Sequence, residues 1–596
     1  MEFAKWNLNM ILRITLIVLY VMFIVFSWGK WGHVISDCFR EAIIPEAMLD
    51  GKVLYRDILN LYPPFAYQVN ALLFKVFGCN LNVLYVVGIA CGATILTFLY
   101  KLVKKYSSEI TAFVATLTVM ELFTFRICVK NSASWIFPYS YSFLYAFTFC
   151  FVGICVYLLM KKNPENEHFK TMMAVSLLIG FSIASKWDFL LLGLIPIFES
   201  VKNKSIKEFA AYFVLMILPS LLSFGVYLLF GGSVLDLSKQ VQFLINFSHA
   251  PSVQIFNETI MPQRITLGVL RDLGMSFGIF IKQFAAIGLF AAILFILLEK
   301  FSENKILQIF ISAIFVIFGW FFIIQPFSVT QFTKFGINTN IVFVPYVLAI
   351  WAIAVVLLKL IKHREFSDKE KFCLSLVVIG FLFTFRQFAE VKISSIGNFA
   401  IVPYWLAFVY FLIEILPTYF KKLQTIIYKK SIMVALVAFC LSVSSIYLFY
   451  FLPNMNGKIN GTKGAFYTSL AYSPVVNDAM DYINKNVPKD KTVLVLEEGL
   501  IFNWFSDRKT NLNYYALIPH MIDTFGENAV VSELAKNKPD FVLITNNYFP
   551  IVGQFGVDYA KEITQFLFDN YDYEKSIMLP QSKLSFEVTI LKKKNN

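Results

Sequence analysis

Long apolar runs alternate with short polar loops along most of the chain. A membrane-spanning helix needs about 20 consecutive apolar residues, and about thirteen runs approach that length. The fifth and sixth runs are short and share a hydrophilic Ser-Lys-Trp-Asp hinge at residues 185–188, so either could be tilted or re-entrant. The pattern predicts an α-helical polytopic membrane protein. The predicted spans are residues 9–28, 81–100, 109–128, 137–160, 170–185, 187–199, 208–231, 273–298, 306–326, 341–361, 371–388, 397–417 and 431–452.

The composition excludes several classes of protein. Hydrophobic residues make up 58% of the 596 residues and charged residues only 15%, against about 25% charged in ordinary soluble domains. These fractions exclude a soluble enzyme, a disordered chain and a nucleic-acid-binding protein. The eight cysteines lie mostly inside apolar runs and form no CxxC motif. Neither a disulfide framework nor a thiolate metal site is therefore predicted.

The basic residues are concentrated in alternate short loops. Lysine and arginine follow the even-numbered predicted spans, whereas the intervening loops are longer and poorer in both residues. By the positive-inside rule, the basic loops and the N-terminus are predicted to face the cytoplasm. The C-terminal region is predicted to lie outside the plasma (inner) membrane. Topology accounts for most of the net charge of +13, which therefore indicates no nucleic-acid partner.

Two parts of the chain fall outside the pattern of spans. We predict a transmembrane domain over residues 1–453, with a first external loop at 29–80, and an extracytoplasmic soluble α/β domain over residues 454–596. The α/β domain has no nucleophile, phosphate-binding or dinucleotide-binding motif, so we interpret it as a cap or as a docking site for an acceptor. Its predicted helices are residues 474–486, 531–536 and 559–570, and its predicted strands are residues 492–496, 541–545 and 586–591.

The first external loop carries the most informative polar residues. Residues 36–49 are predicted to form an amphipathic helix in the membrane interface, with Ser36 as its cap and Asp37 in its first turn. Gly51 is predicted to end this helix. Taken alone, Asp37 could simply stabilise the helix macrodipole, which is worth under about 1 kcal/mol. The alternative is a catalytic carboxylate at the outer membrane surface.

The loop resembles the GT-C superfamily of polyprenyl-phosphate-dependent glycosyltransferases, in particular the branch of protein O-mannosyltransferases and lipid A aminoarabinose transferases. The layout resembles that branch over nearly the whole chain, and the motifs over only about 50 residues. One departure is that Asp37 is followed by Cys38, where many relatives have a second acid; the next acid is Glu41. The matching residues are Asp37, Gly51, Tyr55, Asp57, Pro63, Pro64, Phe77, Gly78, residues 135–141 (WIFPYSY) and the hinge at 185–188.

The resemblance implies a GT-C type fold and a sugar donor linked to a polyprenyl phosphate. The acceptor would be a glycan, lipid or protein at the outer face of the membrane. The phosphate is already a weak base, so its departure needs nearby positive charge rather than a general acid. A carboxylate is needed to orient or deprotonate the acceptor, and Asp37 is the candidate. No cofactor is predicted and no metal ligands are assigned, with a divalent metal left as an alternative.

Three basic residues are candidates for binding the donor phosphate. Lys186 and Arg386 interrupt apolar sequence near external helix ends, and ionisable residues at membrane depth are functional hypotheses by default. Arg56 is the third candidate. The competing interpretations are snorkelling to the interface or ion pairing of Lys186 with Asp188 and of Arg56 with Asp57. Further candidates for substrate binding are Glu41, Tyr55, Asp57, Tyr62, Tyr139, Asp188 and His249.

The sequence favours a membrane glycosyltransferase over two alternatives. A transporter or lipid flippase would show internal repeats or broken helices near the middle of the membrane, and neither is evident. A polysaccharide polymerase or ligase, which uses a pyrophosphate-linked donor, would concentrate polar residues in a large external loop between late spans. The corresponding loops here are short. The sequence identifies neither the sugar nor the acceptor.

Overall fold

The computed structural model describes a mainly helical chain over residues 2–126, 134–160, 165–259, 266–324, 343–388, 401–546, 552–579 and 586–595. Nine helices in these ranges are long and apolar enough to cross a membrane. The chain is therefore a multi-pass membrane protein. The nine candidate spans are Leu8–Ser27, Leu81–Tyr106, Tyr141–Leu159, Glu167–Ser185, Ile206–Leu229, Phe277–Lys300, Val344–Ile361, Val402–Tyr419 and Ile426–Asn454.

The other four predicted spans also fall on helical segments, although the total of thirteen stays a prediction. The sixth is a 3₁₀-helix, Trp187–Gly193, that continues as the α-helix Leu194–Lys202. At rises of about 2.0 and 1.5 Å per residue it reaches about 27 Å, close to the bilayer core of about 30 Å. The remaining three are Glu109–Val119 with its π-helical continuation Met120–Phe125, Lys305–Ile324 and Asp368–Phe388.

The basic loops lie together at one end of the molecule, which we call the basic end. Buried glutamates pair with basic side chains there. Glu109 pairs with Arg13 at 2.6 Å and with Lys104 at 2.8 Å. The Ser107 hydroxyl donates to Glu414 at 2.7 Å and so joins two of these loops. The other ion pairs at this end are Lys369–Glu414, Lys429–Glu414, Lys359–Glu370 and Lys202–Glu199.

The first loop and the C-terminal region meet at the opposite end, which we call the loop end. Lys463 pairs with Glu46 at 2.6 Å, and Lys509 pairs with Asp50 at 2.6 Å. Contact between the two regions requires an even number of crossings between them, and twelve of the predicted spans separate them. The C-terminal region therefore lies on the same side of the membrane as the first loop.

The C-terminal region is an α/β domain built on a four-stranded sheet. The strands are β3 (Val493–Leu496), β4 (Phe541–Thr545), β5 (Tyr571–Met578) and β6 (Glu587–Lys593), in the order β3-β4-β6-β5. The pair β3 and β4 is parallel, and the other two pairs are antiparallel. Strand β5 was not predicted because its residues are mostly exposed at the sheet edge and do not alternate. A short hairpin, β1 (Gly457–Lys458) and β2 (Tyr467–Thr468), precedes the sheet.

Further helices complete the described chain. The first span is the central part of a helix that covers Glu2–Ser27, and the span at Phe277–Lys300 belongs to a helix that begins at Leu267. Outside the spans, the helices are Arg40–Leu49, Phe65–Phe77, Val234–His249, Pro251–Thr259, Ser473–Asn486, Ile501–Ser506, Pro519–Phe525, Glu527–Lys536 and Lys561–Asn570.

The first-loop helix differs from its prediction. It spans Arg40–Leu49 rather than residues 36–49, and Phe39 rather than Ser36 precedes it, without a side-chain cap. Asp37 has a φ of 65°, in the left-handed region, so the helix cannot include it. Six of the ten helical residues are buried. The helix is therefore enclosed between the membrane part and the C-terminal domain instead of lying in the lipid interface.

Two membrane helices pack closely at Gly180, which gives a test of the fold. A Cβ atom on Gly180 would lie 2.7 Å from the backbone oxygens of Leu215 and Met216 on the neighbouring helix. Overpacking of this kind costs about 1–3 kcal/mol. We expect Gly180→Leu to lower the apparent melting temperature in detergent. Gly288→Leu, at a site with no atom within 4 Å, is the matched control and should melt like the wild type. Equal melting of both variants would contradict this packing.

Candidate active site

A tight turn after the first span holds Asp37 at the loop end. The imidazole Nδ1 of His33 accepts the backbone N–H of Ser36 at 2.8 Å, which fixes the turn before Asp37. The backbone N–H of Arg40 then donates to the carbonyl of Asp37 at 3.1 Å. Aspartate tolerates the left-handed conformation better than most residues. Its side chain is 31% exposed, so the carboxylate faces an opening.

Arg40 joins Asp37 to the C-terminal domain. Its Nη2 donates to Oδ1 of Asp37 and, at 3.0 Å, to Oε1 of Glu498. The side chains of Arg40 and Glu498 are only 11% and 6% exposed. Burial and the neighbouring Asp37 raise the pKa of Glu498 to about 7. The site therefore contains two carboxylates that share one guanidinium.

The residue after Asp37 is enclosed in the core of the protein. Cys38 is fully buried. Its Sγ accepts the backbone N–H of His33 at 3.3 Å and lies 3.9 Å from the carbonyl of Phe137. A carboxylate in this position would be buried among apolar groups at a high cost. The second acidic side chain that contacts Arg40 is Glu498, from a distant part of the chain.

A row of aromatic rings connects Arg40 to Lys186. The Arg40 guanidinium lies 4.9 Å from the ring centre of Tyr139, whose ring is 5.9 Å from that of Tyr62. The Lys186 Nζ lies 4.4 Å from the ring centre of Tyr62. Such cation–ring contacts help to hold a charge that has lost part of its water. Two buried cations thus border one tyrosine pair.

Lys186 also makes the ion pair that the sequence suggested. It directly follows the helix Glu165–Ser185, and its Nζ lies 3.4 Å from Oδ2 of Asp188. The two side chains are 9% and 18% exposed. Lys186 therefore does not snorkel into open solvent. Its contact with Tyr62 places it at the loop end, together with Asp37.

Most of the remaining first-loop candidates form a scaffold beside the site. Asp57 accepts the backbone N–H of Val53 at 2.9 Å and pairs with Arg56 at 2.7 Å. The Tyr55 hydroxyl donates to the carbonyl of Tyr62 at 2.8 Å. Arg56 is largely exposed and makes no described contact with Asp37, Arg40 or Lys186, so the structure does not bring it into their cluster.

Glu41 is enclosed rather than open to a ligand. It is fully buried, accepting the backbone N–H of Tyr141 at 3.0 Å and the hydroxyl of Tyr67 at 3.3 Å. Tyr141 begins a membrane helix, and a carboxylate is favourable at a helix N-terminus. Burial raises the pKa of Glu41 to about 7. Its described contacts tie the first loop to the membrane part.

Of the two remaining candidates, His249 is not brought into the cluster. His249 is exposed at the end of the helix Val234–His249, where its Nδ1 lies 2.9 Å from the carbonyl of Ile245. The backbone of Arg386 belongs to the helix Asp368–Phe388, but its side chain lies outside the described part of the structure.

A cleft next to Arg40 separates the first loop from the C-terminal domain. The helices Val234–His249 and Pro251–Thr259 border it, and Phe243 stacks on Phe525 with ring centres 5.3 Å apart. The Gln240 amide contacts the carbonyl of Asn60. The lining is mainly aromatic and aliphatic, comprising Arg40, Ile44, Leu59, Asn60, Leu61, Tyr139, Tyr514, Tyr515, Ala516, Met521 and Phe525.

Sequence reasoning did not identify Arg40 or Glu498, although a signal exists for each. Arg40 lies three residues after Asp37, within reach along a helical turn. Glu497 and Glu498 directly follow the buried strand β3, and the carboxyl ends of parallel strands are where open α/β sheets bind ligands. In the described ranges, no three His, Cys, Asp or Glu side chains are grouped closely enough to hold a metal ion.

No protein-family model matches the chain, and no curated protein matches it either. Solved structures do show likeness. The apo crystal structure of ArnT from Cupriavidus metallidurans shares 10% identity over 98% of both chains, with a TM-score of 0.43. The same protein bound to undecaprenyl phosphate shares 12% identity over 96% of this chain and 98% of ArnT, with a TM-score of 0.44.

A third likeness is to the Archaeoglobus fulgidus oligosaccharyltransferase in complex with zinc and sulfate. Its identity is 11% over 89% of this chain and 67% of that chain, and its TM-score is 0.44. TM-scores under 0.5 mark a distant likeness. The proposed function therefore rests on the residues of the site and not on these comparisons.

The raised pKa of the buried Glu41 makes the stability of the protein depend on pH. Because its pKa is higher in the folded protein than its ordinary 4.5, the folded state binds more protons between about pH 4.5 and 7. Its contribution to stability therefore falls as the pH rises through that window. At about 1.4 kcal/mol per pKa unit, the loss is on the order of 3 kcal/mol.

We expect Glu41→Gln to remove this dependence while keeping a hydrogen-bonding amide. Between pH 5 and 7.5, the apparent melting temperature in detergent should fall less for the variant than for the wild type. Glu498 contributes a similar slope to both proteins, because it is unchanged. Asp50→Asn, which alters an exposed carboxylate of the same loop, should follow the wild type. Parallel pH profiles for Glu41→Gln and the wild type would contradict the assignment.

Proposed function

We propose that this protein is an integral-membrane glycosyltransferase that moves a monosaccharide from a polyprenyl phosphate to an acceptor. The acceptor is an envelope glycolipid, polysaccharide or protein at the outer face. One observation carries the proposal: a partly exposed carboxylate, Asp37, lies in one cluster with two buried cations, Arg40 and Lys186, at the end opposite the basic loops. The first-loop motif supports the same reaction class.

The two cations suit a departing lipid phosphate. Lys186 follows a membrane helix directly, so a phosphate on a lipid within the bilayer can reach it along that helix. The Nε of Arg40 is buried and has no hydrogen-bond partner within the described ranges. A buried N–H without a partner costs about 1–3 kcal/mol, and a phosphate oxygen is a strong acceptor for it. Preorganised positive charge stabilises the leaving group in the transition state.

Asp37 supplies the base. Within the described contacts only Oδ1 of Asp37 is bonded to Arg40, so Oδ2 is open to an acceptor proton. The acceptor oxygen or nitrogen attacks the anomeric carbon of the sugar. The bond from that carbon to the phosphate oxygen breaks, and the phosphate departs with the electron pair. The acceptor proton passes to Asp37, and attack opposite the leaving group inverts the configuration.

The tyrosine pair provides a place for the sugar. Tyr62 and Tyr139 lie between Lys186 and Arg40, and Arg40 contacts Asp37. A sugar in this position has its phosphate beside the cations and its anomeric carbon towards the carboxylate. By the positive-inside rule the basic end faces the cytoplasm, so this site faces outwards. We place the entry of the acceptor on that side, beside the small cavity lined by Tyr514 and Tyr515.

The central prediction concerns Asp37. Purified wild type in nanodiscs, given a panel of polyprenyl-phosphate sugars and a membrane extract as acceptor source, should consume one donor and release polyprenyl phosphate. Asp37→Asn should lower that rate about 100-fold or more, because general-base catalysis contributes at least this much. Donor consumption and polyprenyl-phosphate release are measured together by mass spectrometry.

Asp50→Asn is the matched control, because it changes an exposed first-loop aspartate that pairs with Lys509 away from the cluster. It should keep the wild-type rate. Equal rates for Asp37→Asn and the wild type would remove Asp37 as the base and leave the enzyme class intact. A wild type that neither turns over nor binds any donor would contradict the proposed function.

Lys186 gives a separate prediction about lipid binding. Lys186→Gln removes a charge-assisted contact to the phosphate, worth about 1.5–3 kcal/mol. The dissociation constant for a polyprenyl phosphate should therefore rise about 10-fold or more, as measured by tryptophan fluorescence in detergent. Lys75→Gln, at an exposed position near the end of the helix Phe65–Phe77, should bind like the wild type. Unchanged binding by Lys186→Gln would exclude Lys186 from the phosphate site.

A further inference from the structure

Glu498 is a buried charged residue that neither the sequence motifs nor the proposed reaction explains. It follows β3 at the carboxyl end of the parallel strand pair. The Thr545 hydroxyl at the end of β4 donates to the carbonyls of Leu496 and Glu498 at 3.1 and 2.9 Å. Leu517 donates its backbone N–H to the carbonyl of Glu497 at 3.0 Å. The backbone that carries Glu498 is thus fixed by the core of the C-terminal domain.

The side chain of Glu498 reaches out of that domain into the first loop. Its Oε1 accepts Nη2 of Arg40 at 3.0 Å. The Ser36 hydroxyl and the backbone N–H of Asp37 also lie near its carboxylate, where they lower its pKa and partly offset the effect of burial. The contacts of Glu498 therefore converge on the short segment that carries Asp37 and Arg40.

Docking of the two domains does not by itself account for this arrangement. The Lys509–Asp50 pair already joins the domains at 2.6 Å with both side chains well exposed. Burying a carboxylate costs several kcal/mol, which its partner often fails to recover. Burial is reflected in a pKa near 7 for Glu498. The effect of the Glu498 carboxylate on the position of Arg40 explains why a buried carboxylate is retained here.

We infer that Glu498 is a positioning residue through which the C-terminal domain completes the active site. It takes the place of the second acid that Cys38 cannot provide, and it holds the Arg40 guanidinium between the two carboxylates with Nε left for the donor phosphate. Without Glu498, Arg40 pairs with Asp37 alone. That change weakens phosphate binding and makes the base less available. The inference rests on the proposed function, because it assumes that Arg40 binds the phosphate.

The test measures lipid binding by the full-length protein in detergent, with decaprenyl phosphate as the probe. Glu498→Gln should raise the dissociation constant about 10-fold, whereas Asp50→Asn should bind like the wild type. Apparent melting temperatures without lipid are measured for every variant, so that affinities are compared only among proteins that are folded under the assay conditions. Glu498→Asp, which keeps the charge, should recover part of the affinity.

A double-mutant cycle separates positioning from simple stabilisation and covers the case in which Glu498→Gln folds poorly. If Glu498 acts through Arg40, then Arg40→Lys should weaken binding, and adding Glu498→Asp should weaken it little further. Independent, additive losses would overturn the inference, as would wild-type affinity in Glu498→Gln. Failure of the wild type to bind decaprenyl phosphate would overturn the proposed function together with it. Weaker binding by the Glu498 and Arg40 variants, with wild-type binding by Asp50→Asn, supports both.

Discussion

The ion pairing of Arg40 with Asp37 and Glu498 is the interaction on which the rest of the site depends. It joins three parts of the chain: the turn after the first membrane helix, the first-loop helix and the sheet of the C-terminal domain. A buried guanidinium needs its charge balanced, and the carboxylates of Asp37 and Glu498 both contact it. The domain interface and the site are therefore a single structure.

The membrane part brings the second cation to the same place. The helix Glu165–Ser185 ends at the loop end, and Lys186 turns from it into an ion pair with Asp188 beneath Tyr62. The following segment returns to the basic end as a 3₁₀-helix and then an α-helix. The greater rise of the 3₁₀-helix lets a short run of residues cover the distance. This geometry leaves a polar hinge at the loop end of an otherwise apolar helix pair.

The sequence predicted the membrane helices and the relation of the two ends well, because apolar run length and loop charge are direct consequences of the bilayer. It also singled out Asp37 and Lys186, which the structure brings into one cluster while their functional roles stay predictions. It could not show Glu498 beside Arg40, because more than 450 residues separate them. The predicted start of the first-loop helix was wrong, since the pattern of polar and apolar residues does not show that His33 accepts the backbone N–H of Ser36 and fixes a turn before Asp37.

The most direct test of this account is a cryo-electron microscopy structure of the protein with a polyprenyl phosphate bound in nanodiscs. The account predicts the phosphate at the loop end, within hydrogen-bonding distance of the Lys186 Nζ and the Arg40 guanidinium. Asp37 should face the position of the sugar, and Glu498 should still contact Arg40. A phosphate bound at the basic end, or at the loop end away from both cations, would contradict the account.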